Sequence, residues 1–329
     1  MLLSLLAVAS CGSKPTGPLV QANSPALSCP ASITVESVTG AALPVTFTVP
    51  TAVGGEAPVS AVTCTAQPGA TFPLGSTIVT CTATDGFQRQ GVCSFTVTVA
   101  TRPSILKTKF LAFGDSLTFG RCNIAPAECP PYTVRLRELL EARYASQTFT
   151  ITNVGIPGEI AADDIAIPLG RLAGQDRLPS ELARYSPEVL LLMEGANDLF
   201  FGALTPTLTF QHALGALDRM ATAAQAQGVI VFLATIPPQR SPAPAGTPNR
   251  DVVAGLIPSF NDGIRAIAAS RGATLVDVYA AMVTDIPSLI GADNLHPTEE
   301  GLRRMGEIFY AAIRNALDNT PTGEALGRD

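Results

Sequence analysis

The C-terminal two-thirds of the chain alternates between short apolar runs and longer stretches of mixed character. The apolar runs are KFLAFGD, TFTITNVG, EVLLLMEG, VIVFLATI and ATLVDVY. They are near-continuous, which suits parallel strands buried on both faces. Between them lie YTVRLRELLEARYA, FQHALGALDRMATAAQAQG, VVAGLIPSFNDGIRAIAASRG and EEGLRRMGEIFYAAIRNALD. In the last of these, Leu302, Met305, Ile308, Phe309 and Ile313 recur at helical spacing. Strands alternating with helices predict an α/β domain with a parallel sheet over residues 108–317. The preceding segment, residues 27–100, is rich in Thr and Val, with short alternating runs SITVESV, LPVTFTVP, STIVTCTATD and CSFTVTVA. Turn-forming stretches VGGEAP, QPGATFPLG and DGFQRQG separate them, and this spacing predicts a small all-β sandwich. Residues 12–26 (GSKPTGPLVQANSPA) read as a flexible tether. Residues 101–107, with Pro103, read as a linker, and 318–329 as a frayed polar tail.

Composition narrows the possible functions. A chain of 329 residues is long enough for two domains, and 47% hydrophobic with 15% charged residues describes a globular chain with a real core. A net charge of −6 without a basic run argues against nucleic-acid binding, which needs Lys and Arg to neutralise phosphates. The absence of Trp argues against an aromatic platform for sugars. Near the N-terminus, Leu2 to Val8 form an apolar run too short to span a bilayer but suited to the core of an export signal. The run ends in Val8-Ala9-Ser10-Cys11, which resembles a bacterial lipobox, although no Lys or Arg precedes it. That resemblance implies a signal over residues 1–11, lipidation of Cys11 and a mature chain tethered to the cell envelope. The alternative is a secreted chain in which Cys11 has no such role. Setting Cys11 aside leaves Cys29, Cys64, Cys81, Cys93, Cys122 and Cys129. An even set in an exported chain points to disulfides, whose pairing the sequence leaves open. No CxxC spacing suggests a zinc or redox site.

Ligands of doubly wound sheets bind beyond the carboxyl ends of the strands. The segments following the predicted strands are Gly114-Asp115-Ser116-Leu117, Asn153-Val154-Gly155-Ile156-Pro157-Gly158, Gly195-Ala196-Asn197-Asp198 and, after an insertion, Asp293-Asn294-Leu295-His296-Pro297. Right-handed crossovers bring all of them to one edge. A serine hydroxyl is a weak nucleophile until a base takes its proton. The chain has two histidines, His212 and His296. His212 falls within an amphipathic helix with no acid patterned to orient it, and reads as structural. His296 has Asp293 three residues before it and Pro297 after it, which predicts a helix N-cap position facing Ser116. Asp293 is the candidate to orient its ring. The backbone N–H groups of Ser116 and Gly155, with the Asn197 side-chain amide, are candidate donors to a developing oxyanion.

Other polar residues are expected to be structural. Asp115 is expected to hold the serine turn, Asp198 to bond its own loop, and Asp163 with Asp164 to form a solvated helix edge. Cys122 and Cys129, in RCNIAPAEC, are expected to close a local disulfide near the rim of the site rather than to bind metal. The Pro-rich stretch 236–249 is expected to wall the substrate pocket.

FGDSLTFG, NVGIPGE, GAND and DNLHP, in that order, resemble the four blocks of the SGNH (GDSL-type) hydrolase superfamily over residues 108–317. The resemblance implies a flavodoxin-like three-layer α/β/α fold, and a Ser116–His296–Asp293 triad with oxyanion donors at Ser116, Gly155 and Asn197. It implies hydrolysis of a small-molecule, lipid or carbohydrate ester through an acyl-enzyme, with no metal or organic cofactor. The family includes lipases, lysophospholipases, thioesterases, arylesterases and carbohydrate O-acetylesterases; an exported location favours lipid or cell-wall esters over acyl-CoA. SCPASITVE, PVTFTVPTAVGG, FPLGSTIVTCTATDG and CSFTVTV resemble a hyalin-repeat (HYR) immunoglobulin-like module, which implies adhesion to a surface partner or a spacer role. Within that module we assign Cys64 to Cys81 and Cys29 to Cys93, a choice the spacing does not force. The rival reading is a non-catalytic adhesion or binding lipoprotein that keeps the hydrolase fold as a scaffold. The GxSxG elbow of α/β-hydrolases is absent.

Overall fold

The computed structural model describes residues 23–122, 129–202, 210–242 and 249–320. The lipidation candidate Cys11 lies outside them. The chain divides between Arg102 and Pro103 into two compact units.

In the first unit the strands are β1 (Ala26–Leu27), β2 (Ile33–Ser37), β3 (Leu43–Pro44), β4 (Ala52–Val53), β5 (Thr63–Cys64), β6 (Thr71–Phe72), β7 (Gly75–Thr84) and β8 (Gln90–Thr101). The main sheet runs β2-β8-β7-β5, while β1 pairs with β4 and β3 with β6. Alternation sets its faces: Val79, Cys81 and Ala83 of β7, and Phe95, Val97 and Val99 of β8, point into the core. Phe47 meets Phe95 edge-on at 4.9 Å. Disulfides join Cys29 to Cys93 and Cys64 to Cys81, closing separations of 64 and 17 residues. Bridges of this kind contribute about 2–4 kcal/mol each, useful in a unit with so small a core. Asp85 shapes the β7–β8 turn by accepting from the backbone N–H groups of Phe87 and Arg89 and from the Arg89 guanidinium. Two expected boundaries move. Pro25 is buried and Ala26 pairs with Val53, so the tether gives way to folded chain before residue 27. Thr101 still belongs to β8.

The second unit carries β9 (Lys109–Gly114), β10 (Thr150–Asn153), β11 (Val189–Met193), β12 (Ile230–Ala234) and β13 (Thr274–Val276). These are the five apolar runs of the sequence. They form one parallel sheet ordered β10-β9-β11-β12-β13, the flavodoxin-like arrangement. Every residue of β11 is buried, as a central strand requires. Its helices are α1 (Ser116–Phe119), α2 (Tyr132–Arg143), α3 (Asp163–Ala166), α4 (Gly174–Tyr185), α5 (Ala196–Gly202), α6 (Phe210–Gln225), α7 (Asn249–Arg271), α8 (Val278–Met282), α9 (Ile286–Leu289) and α10 (Glu299–Leu317). The longer helices flank the sheet; α2 packs on α10 through Tyr132 stacked on Phe309 at 4.5 Å, and α6 packs between α4 and α7.

Here the segment read as a linker is part of the fold. Ile105 is buried, its N–H donates to Gln147 Oε1 at 2.8 Å, and the Leu106 N–H donates to the Leu317 carbonyl. The start of the expected frayed tail is also tied down. The Asp318 carboxylate accepts from Arg143 at 2.8 Å and from the Tyr144 hydroxyl at 2.9 Å. Helix α4 escapes sequence pattern because Gly174 and Pro179 are helix breakers by propensity. Burial of Leu178 and Leu182 outweighs them.

Candidate active site

The site forms where β9 and β11 end side by side. Beyond Gly114, Asp115 caps α1 by accepting from the Leu117 N–H at 2.8 Å, which presents Ser116 as the first residue of the helix. Ser116 Oγ lies 2.9 Å from His296 Nε2, and His296 Nδ1 lies 2.5 Å from Asp293 Oδ2. Asp293 Oδ1 accepts from the Leu295 and His296 backbone N–H groups at 3.1 and 2.9 Å, so one carboxylate holds both the turn and the ring. Burial works to raise the Asp293 carboxyl, but the His296 ring and these N–H groups outweigh it and hold the group below the usual carboxylate range. It is ionised at neutral pH.

His296 does not occupy the expected N-cap. Thr298 does, its hydroxyl accepting from the Gly301 N–H at 3.0 Å. The histidine instead sits in a turn pinned by an Ile290–Pro297 bridge, by the Gly291 N–H donating to its carbonyl, and by Asn294 at positive φ. Asn294 is one of the few side chains that adopt that conformation readily.

The candidate oxyanion donors differ from expectation at one position. The Gly155 N–H donates to Asn153 Oδ1 at 2.9 Å, and a Cβ on Gly155 would sit 2.3 Å from the Phe119 nitrogen. Gly155 is thus a packing residue whose donor is already used, and it does not line the cleft. Gly158, in the same run, does line it, at φ +80°, and its N–H has no partner among the described residues. Asn197 opens α5 beside the serine; its Nδ2 donates to the Glu159 carbonyl at 2.8 Å and is 3.4 Å from Asp115 Oδ2. That bond fixes the amide and leaves it at the cleft wall.

The cleft measures about 210 Å³. Besides the residues above, Phe200, Phe201 and Leu295 supply apolar wall, and Arg121, Arg171 and Arg250 supply charge. Of the expected Pro-rich wall, Gln239 lines the cleft, and 243–248 lie outside the described residues. A disulfide joins Cys122 to Cys129. His212 lies close to the start of α6, far from mid-helix, and its Nδ1 contacts Asp164, an acid from α3 that the sequence spacing did not suggest. Asp198 is likewise not local: it accepts from the Ala161 and Ala162 N–H groups at 2.8 and 3.0 Å, which ties α5 to the loop that carries Gly158.

Beneath the site four carboxyls are buried: Asp115, Glu159, Glu194 and Asp198. Arg177 pairs with Glu159 at 2.5 and 2.6 Å. Glu194 is fully buried, and what its carboxyl meets is other carboxyls, Glu159 among them, with no cation paired to it among the described residues. Burial, then the charges of Asp198 and Glu159, push Asp115 up to about 7, and burial pushes Asp198 up to about 6. Burial, then Asp115 and Glu159, push Glu194 well above the usual carboxylate range. These groups keep protons in the folded state at pH values where the unfolded chain, with carboxyls near 4, has released them. The folded state therefore binds more protons between about pH 4 and 7, and stability falls as pH rises through that window. Glu194→Gln removes the least compensated of these groups. It is expected to raise Tm at pH 8 by about 4–8 °C, with a smaller gain at pH 5. Thermal unfolding at both pH values checks this, and an equal or lower Tm at pH 8 would contradict it.

Comparison with known proteins agrees with this architecture. Residues 112–304 match the GDSL-like Lipase/Acylhydrolase family, and residues 20–99 match the HYR domain. A multidomain esterase of Ruminococcus flavefaciens is 30% identical over 141 residues, 41% of this chain but 17% of that protein. Esterase TesA of Pseudomonas aeruginosa is 26% identical over 183 residues, 54% of this chain and 78% of that one. Among solved structures, a variant of an acetyl xylan esterase from Geobacillus stearothermophilus aligns with TM-score 0.51 at 19% identity, over 65% of this chain and 97% of that one. A lipase/acylhydrolase from Enterococcus faecalis aligns with TM-score 0.51 at 22% identity, over 65% and 100%. At such identities the structural likeness is one of fold. The family match covers more than half of the sequence, and the chain belongs to the GDSL-like lipase/acylhydrolases of the SGNH hydrolase superfamily.

Proposed function

We propose that this protein hydrolyses carboxylic esters of short acyl groups through a serine acyl-enzyme. The observation that carries the reading is the unbroken contact Ser116 Oγ–His296 Nε2, His296 Nδ1–Asp293 Oδ2, at 2.9 and 2.5 Å, opening onto a cleft. Ser116 Oγ attacks the carbonyl carbon as His296 takes its proton. The carbonyl π electrons move to oxygen, and that charge is met by the Ser116 and Gly158 N–H groups and by the Asn197 N–H whose resting contact, 3.4 Å to Asp115 Oδ2, is the weaker of its two. On collapse the alcohol leaves with the proton from His296. Water, deprotonated in turn by His296, releases the acid and restores the serine. Asp293, ionised, stabilises the imidazolium that forms twice per cycle.

The cleft, about 210 Å³, lies below the roughly 300–1,000 Å³ of sites built for larger ligands. This supports acetyl to butyryl groups over long chains. Across p-nitrophenyl esters, kcat/KM is expected to peak at acetate or butyrate and to fall about tenfold or more by decanoate. A maximum at long chains would overturn the short-acyl reading, and absence of turnover across the series would favour the non-catalytic scaffold. The three disulfides and the HYR module support an exported setting. In that setting the substrate would be a small-molecule, lipid or carbohydrate ester outside the cytoplasm, and Cys11 would be the lipid tether.

A further inference from the structure

We infer that the substrate is an anionic ester, carrying a carboxylate or phosphate beside the scissile bond, and that Arg121, Arg171 and Arg250 receive that charge. The inference rests on the esterase reading of the same cleft.

The chain as a whole is acidic, with 27 Asp and Glu against 21 Lys and Arg. The cleft reverses this balance: among the described residues its lining includes three arginines and no aspartate or glutamate. Several other arginines of the same unit meet carboxylates; Arg143 meets Asp318 at 2.8 Å, Arg271 meets Asp218 at 2.6 Å and Arg265 meets Asp277 at 2.9 Å. The three cleft arginines have no carboxylate partner among the described residues. They are held in place by groups that leave their charge intact. The Arg171 guanidinium lies 4.8 Å from the Phe201 ring centre and donates to the Gly158 carbonyl at 2.8 Å. The Arg250 guanidinium lies 5.5 Å from the Phe200 ring centre, and the two phenylalanines brace each other at 5.3 Å. The Arg121 N–H donates to the Ser116 carbonyl at 2.9 Å, which fixes the start of this side chain relative to the nucleophile.

Aromatic faces hold a guanidinium by cation–π attraction without satisfying its N–H fork, which fits carboxylate or phosphate oxygens. Like charges around one cleft repel until an anion enters, so the field both draws in and orients an anionic substrate. Gln239 lines the same cleft, is nearly buried, and its amide oxygen has no partner among the described residues. It is placed to bond a polar group of the same substrate. Arg171 also tethers the loop that carries Gly158, through its bond to the Gly158 carbonyl.

The test compares 4-acetoxybenzoate and 4-acetoxyphenyl phosphate with the neutral methyl 4-acetoxybenzoate, each rate normalised to its hydroxide-catalysed hydrolysis. At low salt kcat/KM for at least one anionic ester is expected to exceed the neutral one by about tenfold or more, and to approach it as ionic strength rises. Which anionic ester leads tells carboxylate from phosphate. Arg121→Gln and Arg250→Gln are each expected to lower the anionic-to-neutral ratio about three- to tenfold, through KM, while Arg184→Gln, exposed on α4 and outside the cleft, leaves it unchanged. Turnover of the methyl ester with a ratio at or below one, or a ratio indifferent to both salt and the cleft variants, overturns the inference alone. Turnover of none of the three overturns it together with the esterase reading.

Discussion

Replacing Ser116 with alanine is expected to lower kcat for p-nitrophenyl butyrate by about 10⁵–10⁶-fold, with folding intact. The substitution deletes the atom that forms the acyl-enzyme. It leaves the Ser116 backbone N–H, Asn197 and Gly158 in place, so a small residual rate from oxyanion stabilisation remains. In free-energy terms the loss is about 7–8 kcal/mol of transition-state stabilisation. Stability should hardly change. Among the described residues the only side-chain partner of the hydroxyl is His296 Nε2, and that imidazole reaches the cleft, where water replaces the lost bond. Unaltered thermal unfolding with retained kcat would show that the serine is not the nucleophile.

Asp293→Asn is expected to cost about 10⁴-fold in kcat, as the same exchange does in serine proteases. The geometry explains why a nearly isosteric change is so severe. An asparagine keeps its oxygen on the Leu295 and His296 N–H groups, so the turn persists. Its NH₂ then faces His296 Nδ1 where Asp293 Oδ2 now lies at 2.5 Å. The ring responds by carrying its proton on Nε2, which donates to Ser116 Oγ and cannot accept from it. An amide also offers no charge to the imidazolium. A fall of tenfold or less would mean that the turn, not the carboxylate, positions the base.

Much of the architecture could be read from residue pattern alone because buried parallel strands leave a dense signal: the five apolar runs are the five strands, three motifs lie where strands end, and the fourth follows α9. What the sequence hid was contact between distant segments. NVGIPGE contains Gly155 and Gly158, and nothing in the string says which N–H is already taken; the Asn153 side chain decides it. Asp198 looked local because its partners, Ala161 and Ala162, lie more than thirty residues away. Pro297 suggested a helix start, but Thr298 has the hydroxyl that a cap needs. The breakers Gly174 and Pro179 masked α4, whose buried leucines count for more. Arg121, Arg171 and Arg250 belong to no motif, and only the fold gathers them around one cleft. Glu194 sits at the end of the most apolar strand, where a sequence shows a charge but not whether anything compensates it.

The most direct test of a nucleophilic serine is covalent capture. A fluorophosphonate probe incubated with the purified protein, followed by intact-mass measurement and peptide mapping, is predicted to give one adduct, on the peptide containing Ser116. It should vanish in Ser116→Ala and form far more slowly in His296→Ala, because an unassisted hydroxyl is a poor nucleophile. An adduct on another residue, or none in a preparation that turns over p-nitrophenyl butyrate, would contradict the account.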